Sequence, residues 1–481
     1  FDRRPRMTKL TAADAAFFLT ETVNTPRHVG GLQIFELPPR AGKNYCRSLL
    51  KELQRFDSAV PPFNQWVRFN RLGIPHWETD QDFDIDRHLF LHDLPAGSTR
   101  NELYPLVAGL HEPVMDRDRP LWEFHIISGL TKRRFAIYTK MHHAYADGIT
   151  MTSWMVASLA NSSDAKLKTP IWSRPIEHRK TKQSGEFHLS DEFRNMLQQQ
   201  LSSLKSVKGV AKISSQLVLE KLNLTRNAIA LPFMADRSTP LTGHITPDRQ
   251  VATASVPMER VNRIRKAARA SLNHVALSCI DDALHRYLDD LHCPMDGPIT
   301  IAMPVSLRKK GGVKASSGNQ VGLVLVDLAD QTDDPYERLR DIGVKLRYVR
   351  YQVDELPAGS ILAYSMVIGV SAELLQAFNL GNMVPPLCHT LVSNVPGPRE
   401  TLYLKGARLA EHYPISTLAP NNRLNITLYS YDRFLHFGLV GTQKLEDLKR
   451  LGDHIYQAFV DLEDAVLDPL NENAKSAFPA P

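Results

Sequence analysis

Short β patterns dominate the first third of the chain. Leu32 to Leu37, Val67 to Leu72, Trp122 to Leu130 and Phe135 to His143 are short runs with a β pattern and read as strands. The last two flank Gly129 to Arg134 and predict an antiparallel hairpin, although no Asn-Gly pair marks its turn. An apolar segment, Ile149 to Leu159, then predicts a helix. Later in the chain, helices are expected at Met258 to Ser271, Val275 to Leu291 and Tyr336 to Val353. Strands are expected at Thr300 to Pro304, Val321 to Leu328, His389 to Ser393, Leu424 to Tyr431 and Phe434 to Val440. The mixture implies two α/β halves of similar size.

Between the halves the pattern changes. Asn161 to Ser190 is rich in Ser, Lys and Pro and poor in apolar residues, so it reads as an exposed linker. Phe193, Leu197, Leu201, Leu204, Val207 and Ala211 then recur at helical spacing, interrupted by Gly209. An amphipathic helix or helix pair fits, packed across another domain or laid on an anionic membrane surface. The expected division is 7–160, a basic linker over 161–240, and 241–481. A second anomaly spans Leu356 to Pro398. Glu373 is the one formally charged side chain in those 43 residues, where the chain's 23% would give about ten. Within it, Ile361 to Leu375 reads as a buried helix, belonging to ordinary core, to the wall of an apolar cavity or to a surface that meets lipid.

Composition narrows the class. At 481 residues, two or three domains are expected, and 43% hydrophobic residues argue for a folded protein. The net charge is +6, and Asn161 to Ala230 alone carries 12 Lys/Arg against 6 Asp/Glu. The whole surplus can be assigned to that stretch. It is too small to mark a nucleic-acid binder, and no nucleic acid is expected as a partner. Cys46, Cys279, Cys293 and Cys388 are scattered without metal-ligand spacing, as in reduced cytoplasmic proteins. There is no signal-peptide pattern and no apolar run of about 18 residues; residues 1–6, ahead of Met7, are set aside.

The sharpest local signal is Met141-His142-His143-Ala144-Tyr145-Ala146-Asp147-Gly148. It lies between an expected strand and an expected helix. Adjacent strand side chains point to opposite faces, so His142 and His143 cannot do the same job. One should be structural and the other should face a cleft. Asp147 can cap helical N–H groups or bind an arginine, and Gly148 permits a tight passage. A vicinal pair pointing apart is poor chelate geometry, so no metal is expected. Two structural histidines or a general base remain, and the ordered string HHxxxDG favours the base. No GxSxG nucleophile elbow occurs.

HHxxxDG is the signature of the superfamily of chloramphenicol acetyltransferases, carnitine acyltransferases and peptide-synthetase condensation domains. Further strings narrow the likeness: Pro120-Leu121-Trp122-Glu123, Pro304-Val305-Ser306-Leu307-Arg308, Gly318-Asn319-Gln320-Val321-Gly322 and Ser393-Asn394-Val395-Pro396-Gly397-Pro398. Together, from about Leu10 to about Asp464, they resemble the bacterial wax ester synthase/diacylglycerol acyltransferase family. The resemblance implies an α/β fold: two chloramphenicol-acetyltransferase-like domains, with mixed sheets and packed helices, joined by the basic linker. It implies a channel between them, with His143 as general base, His142 supporting it and Asp147 anchoring the loop.

The implied reaction joins a long-chain acyl-coenzyme A to a fatty alcohol or a diacylglycerol. Acyl-coenzyme A is then a substrate, and no cofactor is expected. The implied location is the cytoplasm, with peripheral contact to the inner membrane, lipid inclusions or a lipid-droplet surface. Competing readings are another coenzyme A- or carrier-dependent acyltransferase or condensation enzyme of the superfamily, and a non-enzymatic lipid-surface protein.

One departure stands out. Where the family commonly carries Asn-Asp before a helix, this chain has Asn273-His274. Asn273 is a candidate for polarising the carbonyl or holding the site wall, or is simply the helix N-cap. Arg308 and Lys309, followed by Lys310, either meet coenzyme A phosphates or form a solvated basic loop. Pro396-Gly397 suits the centre of a type II turn, with Gly at positive φ. The Pro-Leu-Trp string is expected to pack the domain interface.

Overall fold

A computed structural model describes residues 8–175, 230–306, 321–355 and 384–468, except positions 11, 72, 74, 231, 237, 238, 296 and 331, with isolated positions between 365 and 375. The helical pattern from Phe193 to Ala211, Arg308, Lys309 and most of the charge-poor stretch lie outside the described residues.

Two six-stranded mixed sheets organise the chain. The first has the order Tyr403–Leu404, Ala407–Ile415, His28–Glu36, Arg134–His142, Trp122–Leu130, Leu89–Ser98. The second runs Val321–Asp327, Thr300–Ser306, Thr390–Pro396, Leu424–Tyr431, Phe434–Gly441, Gln250–Pro257. A small third sheet joins Thr8–Lys9, Pro75–Thr79 and Gln65–Phe69.

The hairpin Trp122–Leu130/Arg134–His142 is antiparallel, and its turn places both Lys132 (φ 55°) and Arg133 (φ 53°) in the left-handed region. That backbone matches the strand twist that an Asn-Gly turn would otherwise supply. The expected strand Leu32 to Leu37 begins earlier, at His28, because Gly30 and Gly31 carry no apolar signal.

The first sheet does not belong wholly to the 7–160 segment. Ala407–Ile415 comes from the carboxyl half, pairs with His28–Glu36, and lies on the inner face of the second sheet. A side chain on Gly438 would collide with the Pro414 carbonyl, so that glycine permits the sheets' close contact. The second sheet packs its other face on Leu272–Asp290, Pro335–Glu355 and Leu448–Leu467, burying Val275, Ile280, Leu284, Leu339, Ile426, Leu428, Ile455 and Phe459 in one apolar core.

Three expectations are corrected. The stretch read as exposed linker contains Trp172, which is fully buried, stacks on Trp122 at 5.1 Å, and donates its Nε1–H to the Phe56 carbonyl at 3.0 Å. An isolated tryptophan in polar surroundings gives no periodic signal, which is why composition misleads there. Trp122 packs inside the first half, against Phe63, His88 and Trp172, with Nε1 donating to the Phe63 carbonyl at 2.8 Å. It is not an interface residue. Gly397 has no positive φ; Pro396 ends a strand, and a Cβ on Gly397 would lie 2.5 Å from Tyr429 Cζ. Space, not a type II turn, requires this glycine.

Candidate active site

The motif is built by a strand, a tight passage and a helix. Arg134–His142 pairs with His28–Glu36 and aligns His142 with His28; His143 has already left the ladder. Its backbone N–H instead donates to the Arg27 carbonyl at 2.8 Å. Asp147 is 2% exposed and caps the helix Gly148–Ser158, its Oδ1 accepting from the Thr150 N–H at 2.8 Å. That contact satisfies an otherwise orphaned donor and locks the passage between the histidines and the helix. Gly148 approaches the second sheet: a Cβ there would sit 3.4 Å from Val395 Cγ2.

The two histidines meet different surroundings. His142 is 0% exposed and stacks on Phe18 at 4.2 Å. Its Nδ1 accepts the Ala144 N–H at 3.2 Å, so the neutral ring carries its proton on Nε2. Nε2 lies 3.6 Å from Glu21 Oε1. Glu21 also accepts from the Arg27 N–H at 2.9 Å and from Arg117 Nη2 at 2.8 Å. Burial would raise the Glu21 carboxyl, but His142, Arg117 and the Arg27 amide outweigh it and hold it at about 2. His142 is thus clamped between an aromatic ring and a fixed negative charge.

His143 is partly exposed, whereas Ala144 to Asp147 are buried. It stacks on Phe17 at 4.7 Å. Desolvation by its dense surroundings pushes its pKa down to about 4. The ring is therefore neutral at pH 7 and partly exposed, with its orientation set by the stack on Phe17. A neutral imidazole in that position can accept a proton from a hydroxyl.

Asn273 is not brought to this place. Ser271 is the helix N-cap, its Oγ accepting from the His274 N–H at 3.2 Å, so the cap reading of Asn273 fails. Asn273 Oδ1 accepts from Asn394 Nδ2 at 2.7 Å. Asn394 shares the sheet face of Leu428, which packs on helices, whereas Val395 shares that of Tyr429 and touches Gly148. The amide pair ties helix to strand on the side of the second sheet turned away from the motif.

Sequence reading missed Phe17, Phe18, Glu21, Arg27 and Arg117. The helix Ala12–Thr20 that presents the two phenylalanines is short and apolar all round, so it lacks an amphipathic stripe. The adjacent Phe-Phe pair before an acidic residue was the available clue. Among the described residues, no group of three or more His, Cys, Asp or Glu is placed to hold a metal.

Comparisons with known proteins agree along the chain. The model of the wax ester synthase/diacylglycerol acyltransferase catalytic domain matches residues 10–276, and that of the family's C-terminal domain matches residues 317–463. A putative diacylglycerol O-acyltransferase of Mycobacterium tuberculosis is 36% identical over 461 residues, covering 95% of this chain and 100% of the relative. The O-acyltransferase WSD of Acinetobacter baylyi is 30% identical, covering 93% and 95%. The structure of the wax ester synthase/diacylglycerol acyltransferase from Marinobacter aquaeolei VT8 superposes with a TM-score of 0.73 at 28% identity, covering 95% of this chain and 100% of that one. The first condensation domain of the CDA synthetase shares the fold, with a TM-score of 0.56 at 15% identity over 96% and 97% of the two chains.

Proposed function

The chain belongs to the wax ester synthase/diacylglycerol acyltransferase family and is an acyltransferase, and on that premise we propose that it transfers a long-chain acyl group from coenzyme A to the hydroxyl of a fatty alcohol or a diacylglycerol, with His143 as general base. The observation that carries the assignment of the base is the contrast within the pair. His142 has Nδ1 occupied and Nε2 facing Glu21, while His143 is neutral and partly exposed.

In the proposed step the acceptor hydroxyl gives its proton to the His143 imidazole as its oxygen attacks the thioester carbonyl. The tetrahedral intermediate collapses, the C–S bond breaks, and the imidazolium returns the proton to the departing thiolate. A thioester is already activated, so neither a covalent enzyme intermediate nor a separate cofactor takes part. Glu21, Arg27 and Arg117 act at a distance by fixing His142 and the loop below His143.

Burying each methylene of a long acyl chain contributes about 0.8 kcal/mol, so chain length itself can supply much of the donor's affinity. Contact with a membrane or lipid-droplet surface belongs to the same proposal and is motivated by the basic surplus of 161–230. No helix among the described residues is long and apolar enough to cross a membrane. The test is product analysis with one long-chain acyl-coenzyme A and a panel of long-chain alcohols and diacylglycerols. Ester formation with release of coenzyme A thiol is expected; thiol release without ester, or no release with any acceptor, overturns the reading.

A further inference from the structure

The inner face of the second sheet carries a hydroxyl network whose proton directions are determined by one amide. Asn425 Nδ2 donates to the Thr417 carbonyl at 2.9 Å, which leaves Asn425 Oδ1 as an acceptor. Thr427 Oγ1 donates to that oxygen at 3.0 Å and so commits its single proton. Ser393 Oγ, at 2.9 Å, and Ser416 Oγ, at 2.8 Å, must therefore both donate to Thr427. Each serine then has lone pairs left and no proton. Thr427 and Asn425 are each 2% exposed, whereas Ser393 and Ser416 are partly exposed. What these two serines offer to a ligand is hydrogen-bond acceptors.

The network borders the motif from two sides. Thr417, next to Ser416, donates to the Pro26 carbonyl at 2.5 Å, and the following carbonyl, of Arg27, receives the His143 N–H. Ser393 shares its sheet face with Val395, the residue that meets Gly148.

We propose that Ser393 and Ser416 receive the N–H of the pantetheine amide nearest the sulfur of the acyl donor. The inference rests on the acyl-coenzyme A reading above. A fatty alcohol or diacylglycerol has one O–H, which the reaction delivers to His143. The acyl chain and the thioester have no donor at all. The amides of the pantetheine arm are the nearest N–H groups to the reacting carbonyl. With these proton directions the serines act as acceptors, so the role inferred for them is to position the donor.

The experiment compares two truncated donors with one long-chain alcohol acceptor, using the full chain. One is the long-chain acyl thioester of N-acetylcysteamine; the other replaces its amide N–H by an ester oxygen. The wild-type protein should use the amide donor roughly 3- to 10-fold better in kcat/KM, the range of one net hydrogen bond, with the difference mainly in KM. The double variant Ser393→Ala/Ser416→Ala should lose that preference while still transferring from both donors. An active wild-type protein that treats both donors alike overturns the proposal without needing any variant to fold. A folded double variant that keeps the full preference also overturns it. If the wild-type protein transfers acyl groups from neither truncated donor nor acyl-coenzyme A, the acyltransfer reading itself fails, which is a distinguishable result.

Discussion

Glu21 in the first half and Asp281 in the second are both buried carboxylates beside an arginine, yet they titrate in opposite directions. Their side chains are 2% and 0% exposed, and their arginine contacts, Arg117 at 2.8 Å and Arg338 at 3.1 Å, are similar. Burial pushes both upward. Glu21 is nevertheless held at about 2, while Asp281 rises to about 8. The difference is the number of donors each can claim. Glu21 has the Arg27 amide and His142 in addition to Arg117. Asp281 shares Arg338 with Asp282, at 2.6 Å, and with the Thr332 carbonyl; His285 stands 3.8 Å away, and Lys345 acts only through its charge. A buried carboxyl keeps its charge only where the surrounding chain supplies enough N–H groups. Around the motif the charge is organised and orients a histidine; in the helix layer it is barely tolerated.

The largest effect that follows from this contrast belongs to the motif. His143→Ala should lower turnover by about 10²–10⁴-fold, the usual contribution of a general base, in a protein that still unfolds cooperatively. Folded His142→Ala should lose less activity and more stability. Paired activity and thermal-unfolding measurements check this, and a dead but folded His142→Ala beside an active His143→Ala would reverse the two roles.

Next in size is the carboxylate itself. Glu21→Ala leaves Arg117 and His142 without their anion and should cost about 3 kcal/mol in denaturant unfolding, the low end for a broken buried pair because Arg117 is 35% exposed. Asp281→Asn at pH 7 should cost far less, since the folded carboxyl is already largely protonated. Equal losses for the two variants would erase the comparison.

A smaller, sharper effect concerns pH. Because His143 must be neutral, kcat/KM should rise with pH along a limb near 4 and be flat by neutrality. Phe17→Ala, which opens the ring to water, should move that limb toward the ordinary histidine value of about 6.5. A wild-type limb already at 6.5 would show that desolvation does not govern this ring.

The smallest effect is on the stability of the helix layer. Asp281 has a folded pKa raised above its unfolded value, so its contribution is complete below about 4 and is lost as pH rises through about 8. The melting temperature of Asp281→Asn relative to wild type should therefore climb between those limits. A difference that falls across this window would mean that the carboxylate is ionised and well paired.

The local chemistry of the motif was legible because strand alternation, the Asp147 cap and the helix start all lie within consecutive residues. The hairpin strand Trp122–Leu130 was readable for the same reason, and a turn of two non-glycine residues at positive φ did not obscure it. The helices Ala12–Thr20, Tyr45–Leu53, Arg100–His111 and Leu448–Leu467 escaped notice. In the first, four alanines and an apolar run give no face; Arg100–His111 contains Pro105, which reads as an interruption although the helix continues through it. The strand Ala407–Ile415 was hidden by a register shift between Leu409 and Glu411, which breaks its alternation.

By itself, then, the sequence determined a strand, a two-histidine passage and an Asp-capped helix. It also determined the family, through short strings kept in order. Tertiary structure alone decided which ring is buried and which is partly exposed, because that depends on Phe17, Phe18 and Glu21 arriving from more than a hundred residues away in the chain. It decided that Asn273 faces away from the motif, and that Ser393, Ser416, Thr427 and Asn425 form one network with one direction of donation. Periodicity records which face of an element is buried. It does not record which distant donors and acceptors are buried with it, and those contacts set protonation and hydrogen-bond direction.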